Sequence, residues 1–170
     1  METLKLNDVE RLILANQYQI LEKLEPNNEY GLLAEHLKNG YSFFYEDRIL
    51  NNLNSVMSKE DQHFVIDVLN MFELLHDSYV MLEDKTGIDE SYLKFGGFDY
   101  NNLYEIRLSG FVTALYAANK FTKVIPRGAF NSHSERVGRY TRYLNKFNKI
   151  GGNFPFSKDE ILQVISFDNC

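Results

Sequence analysis

The chain has 170 residues, 44% apolar and 25% charged, with a net charge of −6. These values are ordinary for a soluble globule and fit one domain over 1–170, able to bury roughly 70% of its unfolded surface. Residues Met1 to Lys5 carry no apolar leader, no apolar run nears the ~18 residues a membrane span needs, and the only cysteine, Cys170, cannot pair within the chain. The expected setting is the reducing cytoplasm, with no membrane and no disulfide framework.

Helix signals run the whole length. The first helix starts at Asn7, with Glu10 three residues on as a capping-box partner, and reaches about Glu25. A second follows Asn27 or Asn28 and stops at Asn39-Gly40. A third covers about Ser42 to Leu53. The fourth runs from Ser58 to about Asp84 and is the longest. At ~100° per residue its Phe64, Val65, Val68, Leu69, Phe72, Leu75, Tyr79 and Leu82 share one face, which makes it a central strut. A loop with Gly96-Gly97 leads to Asp99, the expected N-cap of a fifth helix reaching about Phe121. After Pro126 and Gly128, a sixth helix starts near Ser132 or Ser134 and ends at Gly151-Gly152. The last uses Ser157 and Glu160 as a capping box and carries Ile161, Leu162, Val164 and Ile165. No segment alternates as a strand does. Seven helices with short connections predict an all-α, compact multi-helix domain. The 24 Tyr and Phe residues predict aromatic packing in a core or an interface.

Several short pieces, taken in order, carry a family resemblance. They are Arg11 to Tyr18, Val65 to Met71 with His76 and Ser78-Tyr79, and Gly97-Phe98-Asp99 with Asn101-Asn102. Asn131-Ser132-His133, Tyr140 with Arg142 and Leu144, and Asp159-Glu160-Ile161 complete them. Over about residues 11 to 165 the chain resembles the YfbU family of small bacterial proteins. It departs from that pattern at Tyr100, Leu103, Glu135, Tyr143 and Phe147. The resemblance implies a helical cytoplasmic protein and supplies no catalytic residues.

Candidate chemistry is sparse. Asn16 and Gln17 fall inside the apolar arc of Val9, Leu12, Ile13, Ile20, Leu21 and Leu24. Amides on such a face need partners, so Asn16, Gln17, His76 and Asp99 are expected in a buried polar network. A polar pocket wall is the alternative for the two amides. Glu73-x-x-His76 has the spacing of carboxylate-bridged di-iron bundles, but no second such pair exists. His76-Asp77, with His36 and with Asp89 or Asp99, loosely matches the ligand set of helical metal phosphohydrolases. His63 and Asp67 read as an exposed i, i+4 pair. Ser132 beside His133 reads as a cap rather than as nucleophile and base. Gly96-Gly97 lacks the Lys and Ser/Thr of a P-loop and reads as a tight turn that allows close packing.

Charge supplies the main functional signal. Residues 1–119 hold nine Lys/Arg and twenty Asp/Glu, whereas 120–149 hold eight Lys/Arg and one acid, Glu135. On the sixth helix Arg136, Arg139, Arg142, Lys146 and Lys149 fall within roughly 140° of arc, with Tyr143 among them. That face is either a solvated charged face or one that suits an acidic surface on a second copy, another protein, or nucleic acid. The sequence therefore predicts a homo-oligomeric interaction or regulatory protein without cofactor, metal or catalysis. RNA or DNA binding through 120–149 is the alternative. A metal-dependent hydrolase around His36, His76 and Asp77 is a further one.

Overall fold

The computed structural model describes residues 4–26, 29–125, 131–151 and 154–166. The expected cap at Asn27 or Asn28, the loop at Pro126 and Gly128, Arg127, Gly152 and Cys170 lie outside them. The protein is all-α. Its helices are α1 (Asp8–Leu24), α2 (Tyr30–Asn39), α3 (Ser42–Leu50), α4 (Lys59–Met81), α5 (Leu103–Ala117), α6 (Val137–Ile150) and α7 (Lys158–Ile165). One 3-10 turn, Glu90–Leu93, precedes α5. Among the described residues, Phe98 and Asn131 make an isolated parallel bridge outside any strand. Among the described residues no helix is long and apolar enough to cross a membrane. The helices gather into two compact units, residues 1–56 with α1 to α3 and residues 57–170 with α4 to α7.

In the first unit the capping box forms as expected. Asn7 Oδ1 accepts the N–H groups of Val9 and Glu10, and Glu10 Oε2 accepts that of Asn7 at 2.8 Å. The small core holds Ala15, Leu33, Ala34, Leu37 and Tyr45, with Leu6, Leu14, Tyr18 and Ile49 packed against it. α1 docks on α2 through this core together with polar and ring contacts. Arg11 donates to the Leu37 carbonyl at 3.2 Å, Glu22 accepts the Gly31 N–H at 3.0 Å, and Tyr18 stacks on Tyr30. Gly40 closes α2 with φ 73°, and a Cβ there would meet the Arg11 guanidinium at 2.7 Å. α3 ends earlier than expected, where the Asn52 side chain donates to the Arg48 carbonyl.

In the second unit α4 is the strut. Val65, Val68, Leu69, Phe72 and Leu75 are buried, and Phe64, Tyr79 and Leu82 pack against the same core. α5, α6 and α7 all touch α4. α4 stops at Met81, short of Asp84, because Asp84 is used in a turn: its carboxylate accepts the Thr86 N–H and hydroxyl and the Lys158 ammonium. Phe72, Phe95, Phe98 and Tyr140 form an aromatic cluster with ring centres 5.4 to 6.1 Å apart. α7 carries the expected Ser157–Glu160 capping box.

Candidate functional site

Four of the motifs, Gly97-Phe98-Asp99, Asn101-Asn102, Asn131-Ser132-His133 and Tyr140, meet in one polar hub in the second unit. Its centre is Glu105, on the first turn of α5, with 1% of its surface exposed. Oε2 accepts the Asp99 N–H at 2.7 Å. Oε1 accepts the N–H groups of Arg136 and Val137 at 2.7 and 2.8 Å. The carboxylate thus acts as a cap for α6 supplied by another helix. This explains why α6 starts at Val137 rather than near Ser132 or Ser134. Asn131 Oδ1 accepts the N–H groups of Tyr100 and His133, while the Ser132 N–H donates to the Phe98 carbonyl. Asn102, not Asp99, caps α5, taking the N–H groups of Tyr104 and Glu105. Asp99 is displaced because its own carboxylate closes an Asx turn onto Asn101.

Tyr140 locks the glycine loop into the hub. Its hydroxyl accepts the Gly96 N–H at 3.1 Å and donates to the Gly97 carbonyl at 3.0 Å. A Cβ at Gly96 would sit 3.4 Å from that oxygen. The two glycines therefore serve close approach, as expected, with Gly97 at φ 77°. Burial raises the Tyr140 pKa well above the phenol range. The hub's named polar groups are engaged in holding backbone, the use expected of buried networks that specify a single packing. Glu105 was not singled out in the sequence, yet a signal was there. It shares an i, i+3, i+4, i+7 arc with Leu108, Ser109 and Val112, all buried.

The expected network of Asn16, Gln17, His76 and Asp99 does not form. Asn16 and Gln17 are exposed, because α1 docks through Arg11, Ala15, Tyr18 and Glu22 on its other side. Asp99 is buried in the Glu105 hub. His76 is half-buried, its Nδ1 without a hydrogen bond and 3.7 Å from Asp77 Oδ1. It borders a cleft of about 540 Å³ that includes Lys94, Phe95 and Lys123. Both lysines are paired there, Lys94 with Glu90 and Lys123 with Asp77. Lys123 holds Asp77 at 3.1 Å, which neutralises the carboxylate rather than presenting it to a cation. His36, in the first unit, stacks on Phe44 with ring centres 4.4 Å apart. Among the described residues no three His, Cys, Asp or Glu side chains are grouped to hold a metal ion.

The basic helix is only partly a free face. Tyr143, expected among the bases, is buried. Its hydroxyl accepts from Arg139 Nε at 3.1 Å and donates to the Ile165 carbonyl. The Arg139 guanidinium lies over the rings of Tyr92 and Tyr143. Lys146 donates to the carbonyl and hydroxyl of Ser166, at the C-cap of α7. Arg136 is half-buried at the start of α6. Of the six residues expected to form the interaction face, only Arg142 and Lys149 are exposed. α7 and the Tyr92 turn cover part of the arc that the 100° rule groups together.

An exposed apolar stripe lies on α1. Val9, Leu12, Ile13, Ile20, Leu21 and Leu24 of α1 are exposed, from 36% at Leu21 to 71% at Leu24. Phe43, Phe44, Leu53 and Val56 add to the exposed apolar groups of this unit. The family model described as YfbU domain matches residues 4–166. UPF0304 protein MJECS11 of Methanocaldococcus jannaschii is 31% identical over 172 residues, covering 95% of this chain and 99% of its own length. The family model spans residues of both units, and with these two matches the chain belongs to the YfbU family.

Proposed function

We propose that this is a cytoplasmic protein that works by binding other protein surfaces, in an interaction or regulatory role, with no catalytic step of its own. The observation that carries this reading is the outward face of α1, where six aliphatic side chains in the first unit are left in solvent. An exposed apolar stripe of this kind marks a contact surface. The hub adds support. Glu105, Tyr140, Asn102 and Asn131 are bonded to backbone rather than aimed at a reacting group. Nucleic-acid binding through 120–149 is weakened by the internal engagement of Arg139, Tyr143 and Lys146.

The test is affinity capture from cell lysate with and without nuclease, comparing the natural chain with Ile13→Glu/Ile20→Glu. A nuclease-resistant protein partner, which is a second copy or another chain, is expected with the natural chain and lost with the variant. Capture that disappears on nuclease treatment and is indifferent to the α1 change would overturn the reading in favour of nucleic acid.

A further inference from the structure

The outward stripe of α1 has an internal symmetry. Counted outward from the midpoint between Asn16 and Gln17, each apolar residue meets another at the same step. Ile13 mirrors Ile20, Leu12 mirrors Leu21, and Val9 mirrors Leu24. The two amides mirror each other at the centre. All eight residues are exposed. On a regular helix they span one broad face, with the aliphatic groups toward both ends and the amides in the middle. The opposite face, with Arg11, Ala15, Tyr18 and Glu22, is the one turned to α2.

We infer that this face is the dimer interface of the protein, where α1 packs antiparallel on α1 of a second copy about a two-fold axis passing beside Asn16 and Gln17. The inference rests on the interaction reading above and names its partner and its surface. Three features select a second copy. First, a two-fold contact requires a self-complementary patch, and a stripe alike in both directions provides one. Second, the charges agree with the antiparallel sense. Glu10 in the first turn and Lys23 in the last turn are mirrored about the same midpoint, so the Glu10 of each helix lies along the Lys23 of the other. The helix dipoles also oppose. Third, the area is sufficient. Six part-exposed aliphatic side chains amount to roughly 600 Å², and two such faces bury about 1,200 Å², the threshold of a specific interface.

The amides fit the same arrangement. A carboxamide carries both donor and acceptor groups, so it can bond to an identical carboxamide. Beside the two-fold axis Asn16 faces its own counterpart, and so does Gln17. Two amides on an apolar face then find partners at the only point where like meets like. A shallow groove of about 520 Å³ lined by Asn16, Ile20 and Lys23 among others borders the stripe and can receive side chains of the facing helix.

The test uses the full chain in two experiments. Sedimentation across a wide concentration range is expected to show a dimer for the natural chain. Ile13→Glu/Ile20→Glu is expected to weaken it by at least ~100-fold, since a charge buried in an apolar interface finds no partner. Circular dichroism of that variant is expected to be unchanged, as both positions are exposed within the unit. The second experiment uses oxidative cross-linking in a Cys170→Ser background. Asn16→Cys is expected to cross-link to itself. Val9→Cys is expected not to, but to cross-link when mixed with Leu24→Cys. A monomeric natural chain, a dimer unaffected by the charges, or self-cross-linking of Val9→Cys would each overturn the proposal. The broader interaction reading fails separately. It survives a monomeric natural chain if a different protein is captured from lysate through the α1 face, and falls if nothing is.

Discussion

The Glu105 carboxylate accepts the N–H of Val137, the first residue of α6, at 2.8 Å. The two residues are 32 positions apart, and the same oxygen also takes the Arg136 N–H. One buried acid thus sets where α6 begins. Glu105→Gln replaces one accepting oxygen with an amide that opposes an N–H donor. The expected loss is about 2–4 kcal/mol of folding stability, because a buried hydrogen-bonded charge is replaced by a mismatched group. Chemical denaturation of the natural and variant chains measures it. A loss below ~0.5 kcal/mol would show that the hub is not a stabilising centre.

Tyr140→Phe keeps the ring in its cluster and removes the hydroxyl from Gly96 and Gly97. An N–H and a carbonyl then lose their partner, at an expected cost of about 1–3 kcal/mol. Thermal unfolding at neutral pH reads this directly, with Tyr104→Phe as the exposed comparison.

The Tyr104 hydroxyl donates to Asp61 at 2.6 Å, and that bond moves both pKa values. The Asp61 carboxylate is held below its usual 3.8, chiefly by Tyr104 and next by Ser58. Tyr104 is pushed up to about 12, chiefly by Asp61 and next by burial. The signs follow from linkage. The Asp61 contribution is present above pH 3.8 and is lost as pH falls through its lowered value. The Tyr104 contribution is present below pH 10 and is lost as pH rises toward 12. Ultraviolet titration is expected to show a phenol ionising near pH 12 that is absent in Tyr104→Phe. The stability of that variant should also vary less at both extremes.

On α6 the exposed and engaged cations separate cleanly. Arg142→Glu and Lys149→Glu are expected to change stability by no more than ~0.5 kcal/mol. Arg139→Glu and Lys146→Glu remove contacts to Tyr92, Tyr143 and Ser166 and are expected to lower the melting temperature by several degrees, on the order of 1–2 kcal/mol. Equal effects at all four positions would contradict this division.

Local signals made much of the fold legible. Asn7 with Glu10, Ser58, and Ser157 with Glu160 each cap the helix that their spacing predicts. The α4 stripe also lies where its period puts it. Those features depend on residues within a turn of one another. What was not legible depends on distant partners. The start of α6 is set by Glu105 on another helix, and Asp99 yields the α5 cap to Asn102 because it closes a turn of its own. Tyr143 has the position of a surface residue on a helical wheel, but α7 returns to cover it. α1 gives the clearest reversal. Hydrophobic arc alone points Val9, Ile13 and Ile20 inward, whereas Arg11 and Glu22 hold the other side against α2. A helix apolar on its outer face reads, from sequence alone, like a helix buried in its own chain.

The central claim is that the outer face of α1 is covered by protein when the molecule is at work. Side-chain footprinting by photochemical carbene labelling tests it without naming the partner. Labelling of Ile13, Ile20 and Leu24 is expected to be several-fold lower in concentrated, nuclease-treated lysate than in dilute purified protein. Leu103, 87% exposed in the second unit, serves as the reference and is expected to label equally in both. Labelling of the α1 residues that stays in step with Leu103 under both conditions would contradict the account.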